Sequence, residues 1–178
     1  AKDSITPDIN RKVIAMVAGF RYQKDQETLI RAMSYVPKDV ELWLIGDGER
    51  RTIIEQCVKE KGLENRVRLL GIRNDIPSIL KTVDIVVQSS HWEGFGLAAV
   101  EGMAAGKPVV ASNVAGLSQV VSNAGVLFPL GDDKALADIL NKLLTDYKYY
   151  NTVKGRCVKR AHKFDISKMV YKYCQVYQ

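Results

Sequence analysis

Short apolar runs alternate with amphipathic stretches along nearly the whole chain of 178 residues. The runs have the length of buried strands, and the stretches between them carry apolar residues at helical spacing. Strands and helices that alternate in this way predict βαβ units and a parallel sheet covered by helices on both faces. We therefore predict an α/β fold with about six parallel strands. The predicted strands are 13–20, 40–46, 67–71, 84–90, 108–112 and 125–129.

The helical stretches follow the strands one by one. We predict one domain over residues 1–178, because the chain shows no linker, low-complexity tract or internal repeat. Residues 1–12 form a linker-like start, and residues 148–178 form two terminal helices broken near Phe164 and Asp165. The other predicted helices are 27–36, 49–62, about 76–83, 96–105, 116–122 and 132–147.

Composition narrows the class of protein. The hydrophobic share of 47% and the charged share of 26% are typical of a globular protein, and no apolar run reaches the ~20 residues of a membrane span. Three cysteines without close spacing indicate reduced thiols and a cytoplasmic location. With two histidines in the chain, we expect no metal site.

The net charge of +6 is concentrated late in the chain, in KYYNTVKGRCVKRAHKFDISKMVYKYCQ. Interleaved tyrosines and lysines suit a nucleic acid or an anionic lipid surface. The same residues also suit the solvated face of terminal helices. A moderate positive charge is equally compatible with a protein that binds phosphorylated small molecules, so the charge alone leaves these alternatives open.

Four loops that follow predicted strands have unusual compositions. In a parallel sheet, ligands bind at the carboxyl ends of the strands, where loops lead into helix N-termini. We therefore expect the binding site among these loops. They read GFRYQKD after the first strand, GDGER after the second, GIRND after the third and HWEGFG after the fourth.

The fourth loop matches the dinucleotide-binding signature G-x-G-x-x-G/A at Gly94, Gly96 and Ala99. That signature needs an acid about 20 residues later to hold a ribose, and the chain offers Asn113 there. A nicotinamide dehydrogenase is therefore disfavoured. Glycines before a helix still allow backbone amides at 95–97 to bind a phosphate, although a tight turn needs glycines for steric reasons as well.

Two acids flank this candidate phosphate site. Glu93 precedes the predicted helix, and Glu101 lies about five residues into it, in an apolar stretch where an unpaired acid would be costly to bury. Carboxylates accept hydrogen bonds from vicinal hydroxyls, so the pair suits a nucleotide-sugar, which has hydroxyl-rich groups on both sides of a diphosphate. A glycosidase acid/base pair fits poorly beside a phosphate-type turn.

The first loop supplies two cations. Arg21 and Lys24 follow the first strand directly and could neutralise a diphosphate and a departing nucleoside diphosphate. A solvated surface position is the alternative for either residue. His91 and Trp92 precede Glu93 in the fourth loop. His91 could face a sugar or form hydrogen bonds with backbone groups. Trp92 could pack against the protein or stack on a bound group.

Together these segments resemble the C-terminal, donor-binding domain of the retaining glycosyltransferases of GT-B fold known as glycosyl transferases group 1. The resemblance covers roughly residues 10–165. Its most specific element is an E-x7-E motif from Glu93 to Glu101, which continues into GMAAGKPVVAS; Gly102 stands where alanine is common. Further matching elements are QK at 23–24, LIGDGER at 44–50, VRLLG at 67–71 and VLFPLGD at 126–132.

The resemblance implies a role for each matching position. Glu93 would contact the donor sugar and Glu101 the ribose, while the amides of Phe95, Gly96 and Leu97 would meet the sugar and the distal phosphate. Arg21 and Lys24 would bind the diphosphate; the family's Gly-Arg pair is replaced by Ala18-Gly19 here, so Arg21 is the candidate for that arginine. The base would lie near Gly46, Gly48, Gly71, Ile72 and Arg73.

The resemblance also implies an activity. The parent enzyme would transfer a sugar from a nucleoside diphosphate to a glycan or lipid-linked glycan, without a cofactor or a metal ion. The partner N-terminal domain with the acceptor site would be absent, so we expect this domain alone to be inactive. A peripheral membrane association at the inner face is one alternative for the basic end, and no nucleic acid is expected. A non-catalytic nucleotide-binding module, or an epimerase- or phosphorylase-like domain of GT-B fold, is the alternative function.

Overall fold

The computed structural model describes residues 11–164, whose strands form one parallel sheet. The sheet order is β3-β2-β1-β4-β5-β6, and helices cover both faces. Every neighbouring pair of strands is parallel. The predicted α/β fold is therefore confirmed. The strands are β1 (Lys12–Val17), β2 (Val40–Ile45), β3 (Val67–Gly71), β4 (Ile85–Gln88), β5 (Val109–Ser112) and β6 (Val126–Phe128).

The helices follow the strands in the predicted order. Two 3-10 turns, at Tyr22–Lys24 and His162–Phe164, accompany them. The second turn lies at the predicted break near Phe164, and the second terminal helix falls outside the described residues. The helices are α1 (Gln26–Met33), α2 (Arg51–Glu60), α3 (Ile76–Thr82), α4 (Leu97–Ala104), α5 (Ala115–Val121), α6 (Asp133–Thr145) and α7 (Tyr147–Ala161). None of these described helices is both long enough and apolar enough to cross a membrane.

The predicted first strand is too long at its carboxyl end. It ends at Val17, and residues 18–20 belong to the loop that follows. The backbone of this loop pairs with the loop after β2 instead of continuing a strand: the Phe20 amide donates to the Asp47 carbonyl at 3.0 Å. The apolar side chain of Phe20 is nevertheless fully buried, which explains why the apolar run extends past the strand.

The order of the strands reverses in the middle of the sheet. The chain moves outward from β1 to β2 and β3, then returns to place β4 on the other side of β1. In open α/β sheets, ligands bind outside the carboxyl ends of the strands at such a reversal. The fold thus selects the loops after β1 and β4 as the site to inspect.

Helix α4 packs closely on β4 because of one glycine. A Cβ atom at Gly102 would lie 2.9 Å from Cγ1 of Val86, closer than real Cβ atoms come to a neighbour. Val86 is fully buried in the sheet, and its β-branched side chain has little freedom to move. The close packing of α4 on the sheet therefore requires a glycine at position 102.

We predict that Gly102→Ala lowers the free energy of unfolding by about 1–2 kcal/mol. Overpacking costs about 1–3 kcal/mol, and the better helix propensity of alanine returns part of it. The matched control is Gly155→Ala in α7, where an added Cβ meets nothing within 4 Å. That variant should gain about 0.5–1 kcal/mol. Urea unfolding measures both, and equal stabilisation by the two substitutions would refute the packing argument.

Candidate functional site

The loops after β1 and β4 lie side by side at the reversal of strand order. We call them, residues 18–25 and 89–96, the switch crevice. Backbone and side-chain hydrogen bonds join the two loops. The His91 amide donates to the Gln23 carbonyl at 2.8 Å, and the Gln23 side-chain amide donates to the Trp92 carbonyl at 2.9 Å. The buried Ser89 hydroxyl donates to the Asp25 carbonyl at 2.7 Å. These contacts fix the crevice from both sides.

An ion pair between Lys24 and Glu93 crosses the switch crevice. Lys24 Nζ lies 2.5 Å from Glu93 Oε2, and the two side chains are 21% and 15% exposed. The Ser90 hydroxyl donates to the same carboxylate oxygen at 3.3 Å. The structure therefore brings together a predicted phosphate-binding cation and a predicted sugar-binding acid, 69 residues apart in sequence. A group bound here would meet one positive and one negative charge.

Helix α4 opens directly beside this pair. Gly96 is its N-cap residue and has a φ of 79°, a left-handed conformation that glycine adopts without strain. The N-cap has no side chain to bond the first amides, and no acid lies in the first turn. The free N–H groups and the positive end of the helix dipole can thus receive an anion. The neighbouring side chains of Phe95 and Leu97 are 46% and 63% exposed.

Gly116 lies directly against the backbone of Glu93. The sequence indicated no role for this glycine. A Cβ atom at Gly116 would lie 2.0 Å from the Glu93 carbonyl oxygen and 2.7 Å from that of Gly94. Only glycine permits this close approach of α5 to the loop. The signal available in the sequence was a glycine in the first turn of a predicted helix, where nothing in the local pattern requires one.

The glycines predicted near a base lie against the first loop. A Cβ atom at Gly46 would come within 2.1 Å of the Ala18 carbonyl oxygen, and one at Gly48 within 2.5 Å of that of Phe20. These close approaches join the loop after β2 to the loop that carries Arg21 and Lys24. The observed role of both glycines is therefore to position the cation-bearing loop, and a contact with a base stays a prediction.

The loop after β3 is held in shape by a bidentate ion pair. Arg73 donates from Nε and Nη2 to the two carboxylate oxygens of Asp75 at 2.8 and 2.6 Å. Gly71 has a φ of 66°, and the side chain of Ile72 is 69% exposed. The loop thus presents backbone and an apolar side chain at the edge of the sheet, next to the start of α3.

Glu101 lies in a crevice of about 240 Å³ between α3 and α4, lined by Ile76, Pro77 and Leu80 among others. Glu101 is an exposed residue of α4, in keeping with the cost of burying an unpaired acid in this apolar stretch. Partial burial of its carboxyl group nevertheless raises its pKa. Within the described residues the carboxylate of Glu101 forms no hydrogen bond or ion pair. Because α3 continues the loop after β3, the crevice connects that loop with Glu101.

The remaining candidates line the rim of the switch crevice. Arg21 is exposed and near Gly19, where an added Cβ would lie 3.9 Å from Arg21 Nε. Ring atom Nδ1 of His91 lies 3.8 Å from Asp25 Oδ2. Trp92 is 54% exposed, and its ring centroid lies 6.1 Å from that of Tyr22. Within 11–164, no three His, Cys, Asp or Glu residues are grouped so that they could hold a metal ion.

We predict that Glu101→Gln stabilises the folded chain at pH 7 but not at pH 3.5. The raised pKa means that ionisation of Glu101 costs stability in the folded state. The cost is absent below the ordinary glutamate pKa of about 4.3 and grows as the pH rises through the folded pKa. Urea unfolding at both pH values, with exposed Glu64→Gln as the control, measures the difference. A gain that is equal at both pH values would contradict the burial argument.

Comparison with known proteins places the chain among glycosyltransferases. The family model "Glycosyl transferases group 1" matches residues 2–161. The N-acetyl-alpha-D-glucosaminyl L-malate synthase of Bacillus anthracis is 29% identical over 94% of this chain and 45% of its own length. The UDP-Gal:alpha-D-GlcNAc-diphosphoundecaprenol alpha-1,3-galactosyltransferase of Escherichia coli is 33% identical over 94% of this chain and 46% of its length.

Solved structures agree with the sequence relatives. Anabaena Alr3699/HepE in complex with UDP-glucose superposes with a TM-score of 0.89 and 32% identity, over 94% of this chain and 49% of the other. The chain thus spans about half the length of the relatives that it matches. Its described sheet is the C-terminal, Rossmann-like half of a GT-B fold. The chain belongs to the glycosyl transferases group 1 family.

Proposed function

We propose that this chain is the donor-binding part of a retaining glycosyltransferase and that its switch crevice binds a nucleoside-diphosphate sugar. One observation carries the proposal: the Lys24–Glu93 ion pair lies at the strand reversal, beside the uncapped start of α4. A cation, a carboxylate and free helix amides are the groups that a diphosphate joined to a polyhydroxylated ring needs.

The proposed ligand follows the surface from the switch crevice to the edge of the sheet. Glu93 accepts hydrogen bonds from hydroxyls of the donor sugar, and the first amides of α4 bind the phosphates. Glu101 accepts bonds from the ribose hydroxyls in the crevice between α3 and α4. The base then lies against the loop at 71–73, whose shape the Arg73–Asp75 pair maintains.

Lys24 and Arg21 are the proposed charge-stabilising residues of the transfer step. The leaving nucleoside diphosphate gains negative charge as the glycosidic bond breaks, and cations placed in advance stabilise that charge. Lys24 pairs with Glu93, and its ammonium group has donors enough to contact both this carboxylate and a diphosphate. Exposed Arg21 adds a second cation at the rim. With these groups and the helix end, the transfer needs no metal ion.

The names of two relatives suggest the class of donor and acceptor. One relative is named for transfer from UDP-galactose to a diphosphoundecaprenol-linked sugar, and another was solved in complex with UDP-glucose. We propose a glycan or lipid-linked glycan as the acceptor, bound by a second domain that faces the switch crevice. The part of the chain described here would then bind donor without transferring the sugar.

The basic surface of α7 and the turn after it would carry the peripheral membrane association that the sequence left as one alternative. Arg156, Lys159 and Lys163 are exposed, and they line a cleft of about 420 Å³ against the end of α5. Arg160 is committed to the structure, since it donates to the Val120 carbonyl at 2.9 Å. Membrane association stays a prediction, and co-sedimentation with anionic but not neutral vesicles is the result that would support it.

We predict that UDP-, GDP- or ADP-sugars raise the melting temperature and give a measurable binding heat. Glu101→Ala should weaken binding of the responding nucleotide by about tenfold or more, because it removes hydrogen bonds to a charged group. Glu93→Ala should reduce mainly the preference for the nucleotide-sugar over the bare diphosphate. Titration calorimetry measures both, with exposed Glu64→Ala as the matched control.

Two results would count against the proposal. If none of the nucleotides binds the folded chain at millimolar concentration, the switch crevice is not a donor site. If Glu93→Ala leaves the preference for nucleotide-sugar unchanged while Glu101→Ala abolishes nucleotide binding, the chain is a nucleotide-binding module without a sugar site. The proposed assignment needs both acids to act on different parts of one ligand.

A further inference from the structure

An aromatic pair connects the switch crevice to the end of α7. Phe95 lies in the loop before α4, and Phe164 lies in the 3-10 turn that follows α7. Their rings meet edge to face, with centroids 5.5 Å apart and planes at 86°. This is a geometry that aromatic pairs prefer. We call Phe95 and Phe164 the aromatic clamp.

The loop member of the aromatic clamp belongs to a segment with few restraints of its own. Phe95 stands between Gly94 and Gly96, and glycine gives the backbone more freedom than any other residue. A Cβ atom at Gly94 would meet nothing within 4 Å, so no neighbour crowds that residue. Within residues 11–164, the amides of Phe95 and Gly96 donate to no acceptor. The ring contact is therefore the main restraint on Phe95.

The other member of the aromatic clamp is firmly held. Phe164 is half-buried and packs against the hydrophobic core. The guanidinium of Arg160 lies over its ring, 5.1 Å from the centroid. Arg160 in turn donates to the Val120 carbonyl at 2.9 Å and to the Gln119 carbonyl, both in the last turn of α5. Phe164 therefore rests on a side chain that is bound to α5.

Helix α5 also contacts the loop that carries Phe95. Gly116 lies against the Glu93 carbonyl, and a Cβ atom at Gly96 would lie 2.7 Å from Cδ2 of the buried Leu117. The contacts thus form a closed ring: α5 touches the loop, Arg160 joins α5 to α7, and the aromatic clamp joins α7 back to the loop. A loop that is fixed in this way loses little conformational freedom when it binds a ligand.

From this ring of contacts we infer that Phe164 is a positioning residue for phosphate binding. Through Phe95, its ring holds the amides of 95–97 in the arrangement that receives the distal phosphate of the donor. This role rests on the proposed function, which places phosphate groups at these amides. A ligand that lacks the distal phosphate does not reach them and should bind independently of the aromatic clamp.

Titration calorimetry with a nucleoside diphosphate and its monophosphate tests this role. The probes are UDP and UMP, or the guanosine or adenosine pair if that base binds. We expect Phe164→Ala to weaken diphosphate binding about threefold to tenfold, which corresponds to the loss of one aromatic pair. Binding of the monophosphate should be little changed. Phe164→Tyr keeps the ring and should bind both nucleotides as the parent chain does.

NMR relaxation of the unliganded chain gives a second readout. The ¹⁵N order parameters of Phe95 and Gly96 should be about 0.85 in the parent and below about 0.6 in Phe164→Ala. A general loss of stability would not loosen these amides alone. The matched control is Tyr147→Ala, which removes a ring that is 82% exposed at the start of the same helix. It should change neither the order parameters nor the affinities.

A second variant removes the same contact if Phe164→Ala does not fold. Phe95→Ala truncates the more exposed ring, which is 46% exposed, and keeps the backbone amide. It should give the same selective loss of diphosphate affinity. Where both single variants fold, the double variant should lose no more affinity than either one, because each substitution already removes the contact.

Three outcomes would overturn this role. Equal weakening of diphosphate and monophosphate binding would show that the aromatic clamp acts only on the fold as a whole. Unchanged order parameters in a variant that still binds nucleotide would refute the aromatic clamp and leave the donor site intact. Loosened amides in a chain that binds no nucleotide would refute the donor site, and with it the role of Phe164 in phosphate binding.

Discussion

The adjacency of β1 and β4 is the constraint on which the rest of the site depends. Because the strand order reverses between them, the loop with Lys24 and the loop with Glu93 meet at one edge of the sheet. The resulting ion pair is sheltered, and since separating its partners would leave an uncompensated charge in a partly buried place, it holds the two loops in one arrangement. The same reversal places the start of α4 beside the pair. The order of the strands thus brings a positive charge, a carboxylate and a helix end to one place.

Close backbone contacts convert this convergence into a rigid surface. Gly46 lets the loop after β2 touch Ala18, and Gly116 lets α5 touch the carbonyl of Glu93. Each contact fixes the main chain next to a charged side chain that the proposed function uses. A binding surface built in advance loses less conformational freedom when a ligand arrives, and its charges already point at the ligand.

The sequence was sufficient for the fold and for the loops of the site. Apolar runs and helical spacing predicted all the strands of the described sheet, because burial on both faces of a parallel sheet leaves a strong pattern. The loop positions of Lys24 and Glu93 and the helical position of Glu101 were likewise predicted from composition and from the E-x7-E resemblance. Both depend on local sequence, which is where hydrophobic periodicity and motifs carry information.

The contacts within the site could not be predicted from the sequence. The direct pairing of Lys24 with Glu93 depends on how strands that are far apart in the chain align. The roles of Gly102 and Gly116 depend on which atoms lie opposite them, Val86 Cγ1 and the Glu93 carbonyl, and no local pattern encodes that. The exposure of Glu101 was likewise not predicted; the apolar helix around it buries only its other faces.

We propose that one ligand spans the carboxyl edge of the sheet from the switch crevice to the loop after β3. The decisive measurement follows amide shifts during titration with a UDP- or GDP-sugar. A single spanning ligand gives simultaneous shifts at Lys24, Glu93, Gly96, Glu101 and Gly71, all with one affinity. Shifts at the nucleotide end alone, or shifts that saturate at different concentrations at the two ends, would rule out such a ligand.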